Sequence, residues 1–213
     1  MPGQATRPRW AEAAATLAAR DELAARLHAR HGVPRIGPGA RPAHRFEALT
    51  RAIVHQQLAG AAAATIWDRV LSAVGQPFTP KALLDTPPTS LRAAGLSGAK
   101  TAAVTDLATK VHDGTVPLGH LARLEDDDVI QHLIVVRGVG PWTAQMFLLF
   151  ELRRLDVWPT GDLGVRIGLG RALGRSDAPD PAETEELGQA YAPYRSVVAW
   201  WCWREADTRT PDR

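Results

Sequence analysis

Residues 132–166 read HLIVVRGVGPWTAQMFLLFELRRLDVWPTGDLGVR, and the interpretation of the whole chain starts from this stretch. An apolar segment reaches the GVG of residues 138–140, a second apolar segment follows, and a proline-containing loop ends at Asp162. So short a connection predicts two helices joined by a tight hairpin. Glycine permits positive φ and close approach of another molecule to the backbone, and Pro141 suits the first turn of the second helix.

Helical periodicity extends over most of the 213 residues. Apolar residues recur at helical spacing, and no segment alternates apolar and polar residues in the manner of a strand. The clearest segments are residues 10–31, 44–54, 61–74, 98–113 and 195–206. The pattern predicts an all-α protein of roughly ten helices. We expect a lobe formed by residues 46–153, which contains the hairpin, and a second lobe formed by residues 1–45 and 154–213.

Several classes of protein and of site are excluded by composition. A single cysteine, Cys202, excludes an internal disulfide, a four-cysteine zinc site and a cysteine-ligated iron–sulfur cluster. Of the histidines, only His28 and His31 have a spacing that suits a metal, and they share a helix with Arg26 and Arg30, which indicates a solvated face. We therefore expect no cofactor and no catalytic metal. The chain lacks both a run of about 20 apolar residues and a signal-peptide core, so we expect a cytoplasmic protein with no membrane partner.

Charge is distributed unevenly along the chain. The basic residues are 22 Arg and 3 Lys, and residues 1–45 contain eight of the arginines but only three acids. This asymmetry allows a surface that faces phosphates although the net charge is only +2. Genome base composition would explain the arginine count equally well.

The hairpin could bind an anion. Backbone N–H groups in such a turn and at the following helix N-terminus attract negative charge, and a DNA phosphate is a natural occupant. Taken alone, GVG between two helices is also an ordinary turn.

Four motifs in order resemble the helix-hairpin-helix DNA glycosylase superfamily, and within it the AlkA-type 3-methyladenine DNA glycosylases. They are AIVHQQLAGAAAATI at 52–66, LIVVRGVGPWTA at 133–144, DVWPTGDLGVR at 156–166 and PYRSVVAWWCW at 193–203. The family's catalytic aspartate follows its hairpin by about twenty residues, as Asp162 does here. The resemblance covers residues 44–206 and implies a two-lobed fold with the active site in the cleft between the lobes.

The resemblance also implies roles for individual residues. It makes Asp162 the catalytic aspartate, supported by Arg166, although Asp162 is equally suited to cap a helix and Arg166 to form a structural salt bridge. The expected base-pocket residues are Trp142, Trp203, Met146 and Leu163. The expected DNA-binding residues are Arg137, Gly138, Val139, Gly140 and Thr143. The segment expected to fill the DNA gap contains Gln56, Gln57 and Leu58. In the family, hairpin carbonyls can hold a monovalent cation, here those of Val136 and Val139.

Three departures from the family pattern refine the expected activity. Relatives that cut the DNA strand carry a lysine where this chain has Trp142, so the resemblance implies base release without strand cleavage. We expect the protein to lack the extra N-terminal β domain of some AlkA-type enzymes. Ala59-Gly60 replaces a serine expected after the two glutamines.

The sequence therefore predicts a monomeric, monofunctional glycosylase that removes alkylated bases from double-stranded DNA and, in a bacterium, associates with the nucleoid. An alkylated purine is a cation with a weakened glycosidic bond, so one carboxylate that stabilises the sugar and positions water suffices. Two alternatives remain open. One is a non-catalytic helix-hairpin-helix module, and the other is a glycosylase for deaminated or oxidised bases.

Overall fold

The computed structural model describes residues 10–58 and 60–208, and within them every regular element is helical. The α-helices are α1 (Trp10–Arg20), α2 (Glu22–His31), α3 (Arg45–His55), α4 (Gly60–Val74), α5 (Pro80–Asp85), α6 (Pro88–Ala93), α7 (Gly98–His112), α8 (Asp126–Ile134), α9 (Pro141–Met146), α10 (Leu163–Ala172), α11 (Pro181–Gly188) and α12 (Arg195–Asp207). A π-helical turn, Phe147–Glu151, follows α9, and short 3₁₀ turns occupy Pro42–His44, Leu121–Arg123 and Gln189–Tyr191. The predicted all-α class is confirmed. Arg7 and Arg9 of the arginine-rich N-terminus, and Ala59, lie outside the described residues.

The first predicted helix, residues 10–31, is wrong in one respect, because it is two helices. Asp21 has an extended backbone, and its side chain accepts the N–H of Ala24 at 2.7 Å, which makes it the N-cap of α2. A short acidic side chain competes for backbone N–H groups and so favours a helix start over a helix interior. The amphipathic spacing continues across this break and hides it in the sequence.

The chain folds into two compact units. The first combines the described residues up to Pro38 with those from Leu148 onward, and the second is Gly39–Phe147. In the first unit α10 packs along α12, and α1 and α2 pack against each other and against α12. Its core contains Leu17, Leu27, Val165, Leu169 and Trp201, all at most 3% exposed. This unit carries Asp162 at the start of α10.

The second unit is built around α3 and α7, with α4, α5 and α6 against them. Phe78 lies between Phe46 and Trp67, with ring centroids 5.6 and 5.4 Å apart. Leu107 and Leu133 are fully buried and belong to α7 and α8. This unit carries the hairpin between α8 and α9. Throughout residues 10–58 and 60–208, no helix has both the length and the apolar character needed to cross a membrane.

Candidate functional site

The tight hairpin lies between α8 and α9. The N–H of Val139 donates to the carbonyl of Val136 at 3.0 Å, which closes the turn. Gly138 has φ of 76°, in the left-handed region, and a Cβ there would lie 3.4 Å from Ala103 on α7. Gly140 is the N-cap of α9, and Pro141 is its first residue. The two glycines thus turn the chain tightly enough for α9 to begin immediately after the hairpin.

Side chains of α7 hold the hairpin through hydrogen bonds. Asp106 Oδ2 accepts the backbone N–H of Arg137 at 2.7 Å, and Lys110 Nζ donates to the same oxygen and to the carbonyl of Val135. Burial by itself raises the pKa of Asp106. The hydrogen bonds from Arg137 and Lys110 lower this pKa by more than burial raises it, so the net pKa lies below its ordinary value. The Arg137 side chain is exposed.

The turn after α3 contains the two glutamines. Gln57 has φ of 57°, an uncommon left-handed conformation for a residue with a side chain. Gln57 and Leu58 are exposed. The Gln56 amide instead donates to the hairpin, to the carbonyl of Gly138 and to Thr143 Oγ1, both at 3.1 Å. The structure thus joins two of the segments that the sequence predicted to bind DNA.

In the first unit, Asp162 opens α10. Its Oδ1 accepts the N–H of Val165 at 2.9 Å, which is the predicted N-cap bond, and also the indole N–H of Trp203 at 2.9 Å. The cap and a contact with an expected pocket residue therefore coexist in one side chain. A Cβ on Gly164 would lie 3.0 Å from Trp203 Cδ1, so the glycine leaves room for the indole.

Trp203 is also stacked on Phe150, a residue that no sequence motif singles out. The ring centroids are 5.7 Å apart and the planes are inclined by 19°. Phe150 is 38% exposed and lies in the π-helical turn, an irregularity frequently found at functional sites. No periodicity signals it, because an aromatic residue within MFLLF looks like part of the core.

The PYRS motif at the start of α12 forms hydrogen bonds with the loop that precedes Asp162. Arg195 binds both carboxylate oxygens of Asp156 at 2.8 and 2.9 Å. Ser196 Oγ accepts the N–H of Val157 at 2.8 Å and donates to the carbonyl of Arg154 at 2.8 Å. The motif is visible in the sequence, but only the fold shows that it anchors the Asp162 loop.

The other expected site residues occupy a range of environments. Trp142 is 45% exposed in the first turn of α9, Leu163 is 57% exposed, and Met146 is half-buried. The Arg166 guanidinium donates to the carbonyl of Pro179 at 3.4 Å. Among the described residues, no three His, Cys, Asp or Glu side chains are grouped so as to hold a metal ion.

Two helices joined by a glycine hairpin, in an all-helical chain, define the class of helix-hairpin-helix proteins. A comparison with family models matches residues 50–193 to the HhH-GPD superfamily base excision DNA repair proteins. Because this match spans well over half of the 213 residues, the chain belongs to that superfamily.

Several of the proteins that this chain is similar to are named 3-methyladenine DNA glycosylases. DNA-3-methyladenine glycosylase 1 of Schizosaccharomyces pombe is 33% identical over 162 residues, which cover 75% of this chain and 71% of that protein. A solved structure of the fission yeast 3-methyladenine DNA glycosylase with abasic DNA superposes with a TM-score of 0.81 at 30% identity, covering 91% of this chain and 95% of that one. A DNA-3-methyladenine glycosidase of Bacillus halodurans superposes with a TM-score of 0.82 at 31% identity, covering 92% and 89% of the two chains.

Proposed function

We propose that the chain is a monofunctional DNA glycosylase of base excision repair that hydrolyses the N-glycosidic bond of alkylated bases such as 3-methyladenine and 7-methylguanine. The observation that carries the proposal is the Asp162 carboxylate, held by the Trp203 indole N–H at 2.9 Å at the start of α10. Membership in a base excision repair superfamily and the names of the relatives support the same activity.

The chemistry requires little beyond this carboxylate. An alkylated purine carries positive charge, so the C1′–N bond breaks with the electron pair moving to the base, which leaves as a neutral molecule. The negative charge of Asp162 stabilises the oxocarbenium-like sugar, and water adds to C1′ while its proton passes to the Asp162 carboxylate. The product is an abasic site and a free base.

Access to the base requires flipping it out of the duplex, which costs a few kcal/mol. The N–H groups of Gly138 and Gly140 would bind a DNA phosphate, as helix-terminal N–H groups do. We assign contacts with the cationic base to Trp142 and Trp203, and further base contacts to Met146 and Leu163. Cation–π attraction of this kind contributes on the order of 0.5–2 kcal/mol. Gln57 or Leu58 would fill the gap in the DNA. We further propose that the enzyme acts as a monomer in the cytoplasm.

Release of bases from methylated DNA tests this proposal. Asp162→Asn should reduce the single-turnover rate by at least about 100-fold, because it removes the charge that stabilises the sugar cation. Asparagine caps helices as well as aspartate does, so capping of α10 is retained. Asp180→Asn is the matched control, because Asp180 caps α11 through the N–H of Glu183 and should leave the rate unchanged.

The outcomes separate the alternatives. A wild-type protein that binds DNA but releases no base would indicate the non-catalytic helix-hairpin-helix module. Release of only deaminated or oxidised bases from a substrate panel would indicate a glycosylase for those bases. The abasic strand should remain intact, because Trp142 has no amine to form an imine, and borohydride should trap no covalent DNA adduct. Equal rates for Asp162→Asn and wild type would refute the role of Asp162.

A further inference from the structure

Helix α7 contacts both of the second unit's candidate DNA-binding segments, the turn at residues 56–58 and the hairpin at 136–140. Near its N-terminus, Lys100 Nζ donates to the carbonyls of Val54 and Gln56, both at 2.6 Å. Carbonyls at the C-terminal end of a helix lack an intrahelical N–H donor, so the Lys100 ammonium donates the hydrogen bonds that α3 itself cannot provide. Lys100 thereby anchors the end of α3, where the glutamine turn begins.

The second connection runs directly from the turn to the hairpin. Gln56 Nε2 donates to the carbonyl of Gly138 and to Thr143 Oγ1, so one amide spans the hairpin and the first turn of α9. The opposite amide orientation would place the Gln56 carbonyl oxygen against the Gly138 carbonyl oxygen, which repel each other. The contacts therefore require a donor at this position.

The third connection returns to α7. Asp106 lies six residues after Lys100 on the same helix and accepts the hairpin N–H of Arg137. At 1.5 Å per residue, these two anchors are about 9 Å apart along a rigid helix. A single helix thus holds the glutamine turn through Lys100 and the hairpin through Asp106. Gln56 connects the turn directly to the hairpin.

The turn needs such support. Gln57 has φ of 57°, a left-handed conformation that is unfavourable for a residue with a Cβ atom. The anchored carbonyl of Val54 precedes Gln57 in the chain, and the amide-bonded Gln56 is its immediate neighbour. The contacts are therefore placed where they oppose relaxation of this backbone conformation.

We propose that Lys100, Gln56 and Asp106 are positioning residues that hold the glutamine turn at a fixed separation from the hairpin, so that insertion of Gln57 or Leu58 into DNA is coupled to phosphate binding. Gln56 then remains outside the DNA and acts as the strut between the two segments. This inference rests on the proposed function, because it assumes that the turn enters the gap left by a flipped base.

The experiment measures binding and insertion separately. Affinity for an undamaged duplex reports phosphate contacts, and its salt dependence counts them. A duplex with 2-aminopurine beside an abasic-site analogue reports insertion, because an inserted side chain changes the stacking of the fluorescent base. The variants are Lys100→Met, Gln56→Leu and the pair combined. Lys81→Met is the matched control, since it removes the same charge from an exposed ion pair with Asp85.

Each single variant should reduce the insertion signal by about tenfold at fixed protein concentration while undamaged-duplex affinity stays within about twofold. The combined variant should lose no more signal than the more severe single variant, because either change already uncouples the two segments. Lys100→Arg should restore most of the signal, since its guanidinium can donate to both carbonyls.

Two results would overturn the inference: an unchanged insertion signal in Lys100→Met, or equal losses of insertion and undamaged-duplex binding. Failure of the proposed function would appear differently, as a wild-type protein that gives no insertion signal and releases no base.

Discussion

At the scale of single residues, Asp162 combines a structural contact and a proposed chemical role on one oxygen. Oδ1 accepts both the N–H of Val165 and the indole N–H of Trp203. One donor comes from α10 and the other from α12, and together they hold the carboxylate in place, which in the proposed mechanism orients it before substrate arrives. Trp203 in turn rests on Phe150, which limits the freedom of the indole.

Trp203→Phe isolates the hydrogen bond from the aromatic surface. The phenyl ring still offers a face to Phe150 and to a base, but it cannot donate to Asp162. We expect the single-turnover rate of base release to fall about tenfold or more, because one hydrogen bond to a charged group contributes about 1.5–3 kcal/mol, while affinity for abasic DNA changes by about twofold or less. Trp200→Phe, which alters a ring beside Arg204, should change neither quantity. A wild-type rate in Trp203→Phe would show that the indole N–H does not orient the acid.

At the scale of elements, α10 and α12 approach so closely that one position admits only glycine. A Cβ on Gly168 would lie 1.8 Å from the carbonyl oxygen of Cys202, a backbone atom that cannot move aside. One turn earlier, Gly164 makes room for the Trp203 ring. The glycine face of α10 therefore determines how near α12 lies, and hence that Trp203 reaches Asp162.

Gly168→Ala should destabilise the protein by about 3 kcal/mol or more, because the added methyl group must push two packed helices apart. Gly161→Ala is the control, since a Cβ there meets no atom within 4 Å. Urea unfolding followed by circular dichroism gives both free energies of unfolding. A Gly168→Ala protein as stable as wild type would mean that the helices separate at little cost.

At the scale of the whole molecule, each unit contains a carboxyl group whose pKa the fold lowers. In the second unit this is Asp106 beneath the hairpin. In the first it is Glu205 on α12, which accepts from Arg30 and lies 2.7 Å from His31 Nε2 on α2. The predicted solvated position of His31 is therefore wrong, because its side chain is only 11% exposed beside the buried Glu205. Burial by itself raises the pKa of Glu205. The hydrogen bonds and charges of His31 and Arg30 lower this pKa by more than burial raises it, so the net pKa lies below its ordinary value.

This shift determines how stability depends on pH. Because folding lowers the pKa of Glu205 below the unfolded value of about 4.3, ionisation favours the folded state. The contribution is fully present above that value and is lost as pH falls through the folded-state pKa. Glu205→Gln should therefore cost about 1–3 kcal/mol at pH 7 and progressively less in acid. Thermal unfolding at pH 7 and below pH 4 measures this, with the exposed Glu186→Gln as control. A cost that stays constant with pH would contradict the assignment.

The sequence by itself determined the parts that local chemistry controls. Glycines between two apolar segments specify a hairpin, a helix-opening aspartate specifies a cap, and helical periodicity specifies the class, because each depends on residues a few positions apart. The Asp21 break was also locally encoded, by an aspartate three residues before the N–H that it caps, but the amphipathic spacing masked it. The resemblance to the glycosylase superfamily singled out Asp162 and Trp203, although not the bond between them.

Only the tertiary structure decided which distant residues act together. Gln56 meets Gly138, Arg195 meets Asp156, and the Trp203 indole reaches Asp162, 41 positions earlier in the chain. Such pairings depend on how closely packed helices approach, and that distance is set by the summed volumes of many side chains and by glycines such as Gly168. The hairpin could therefore be read from residues 132–166 alone, whereas the network that supports it could not.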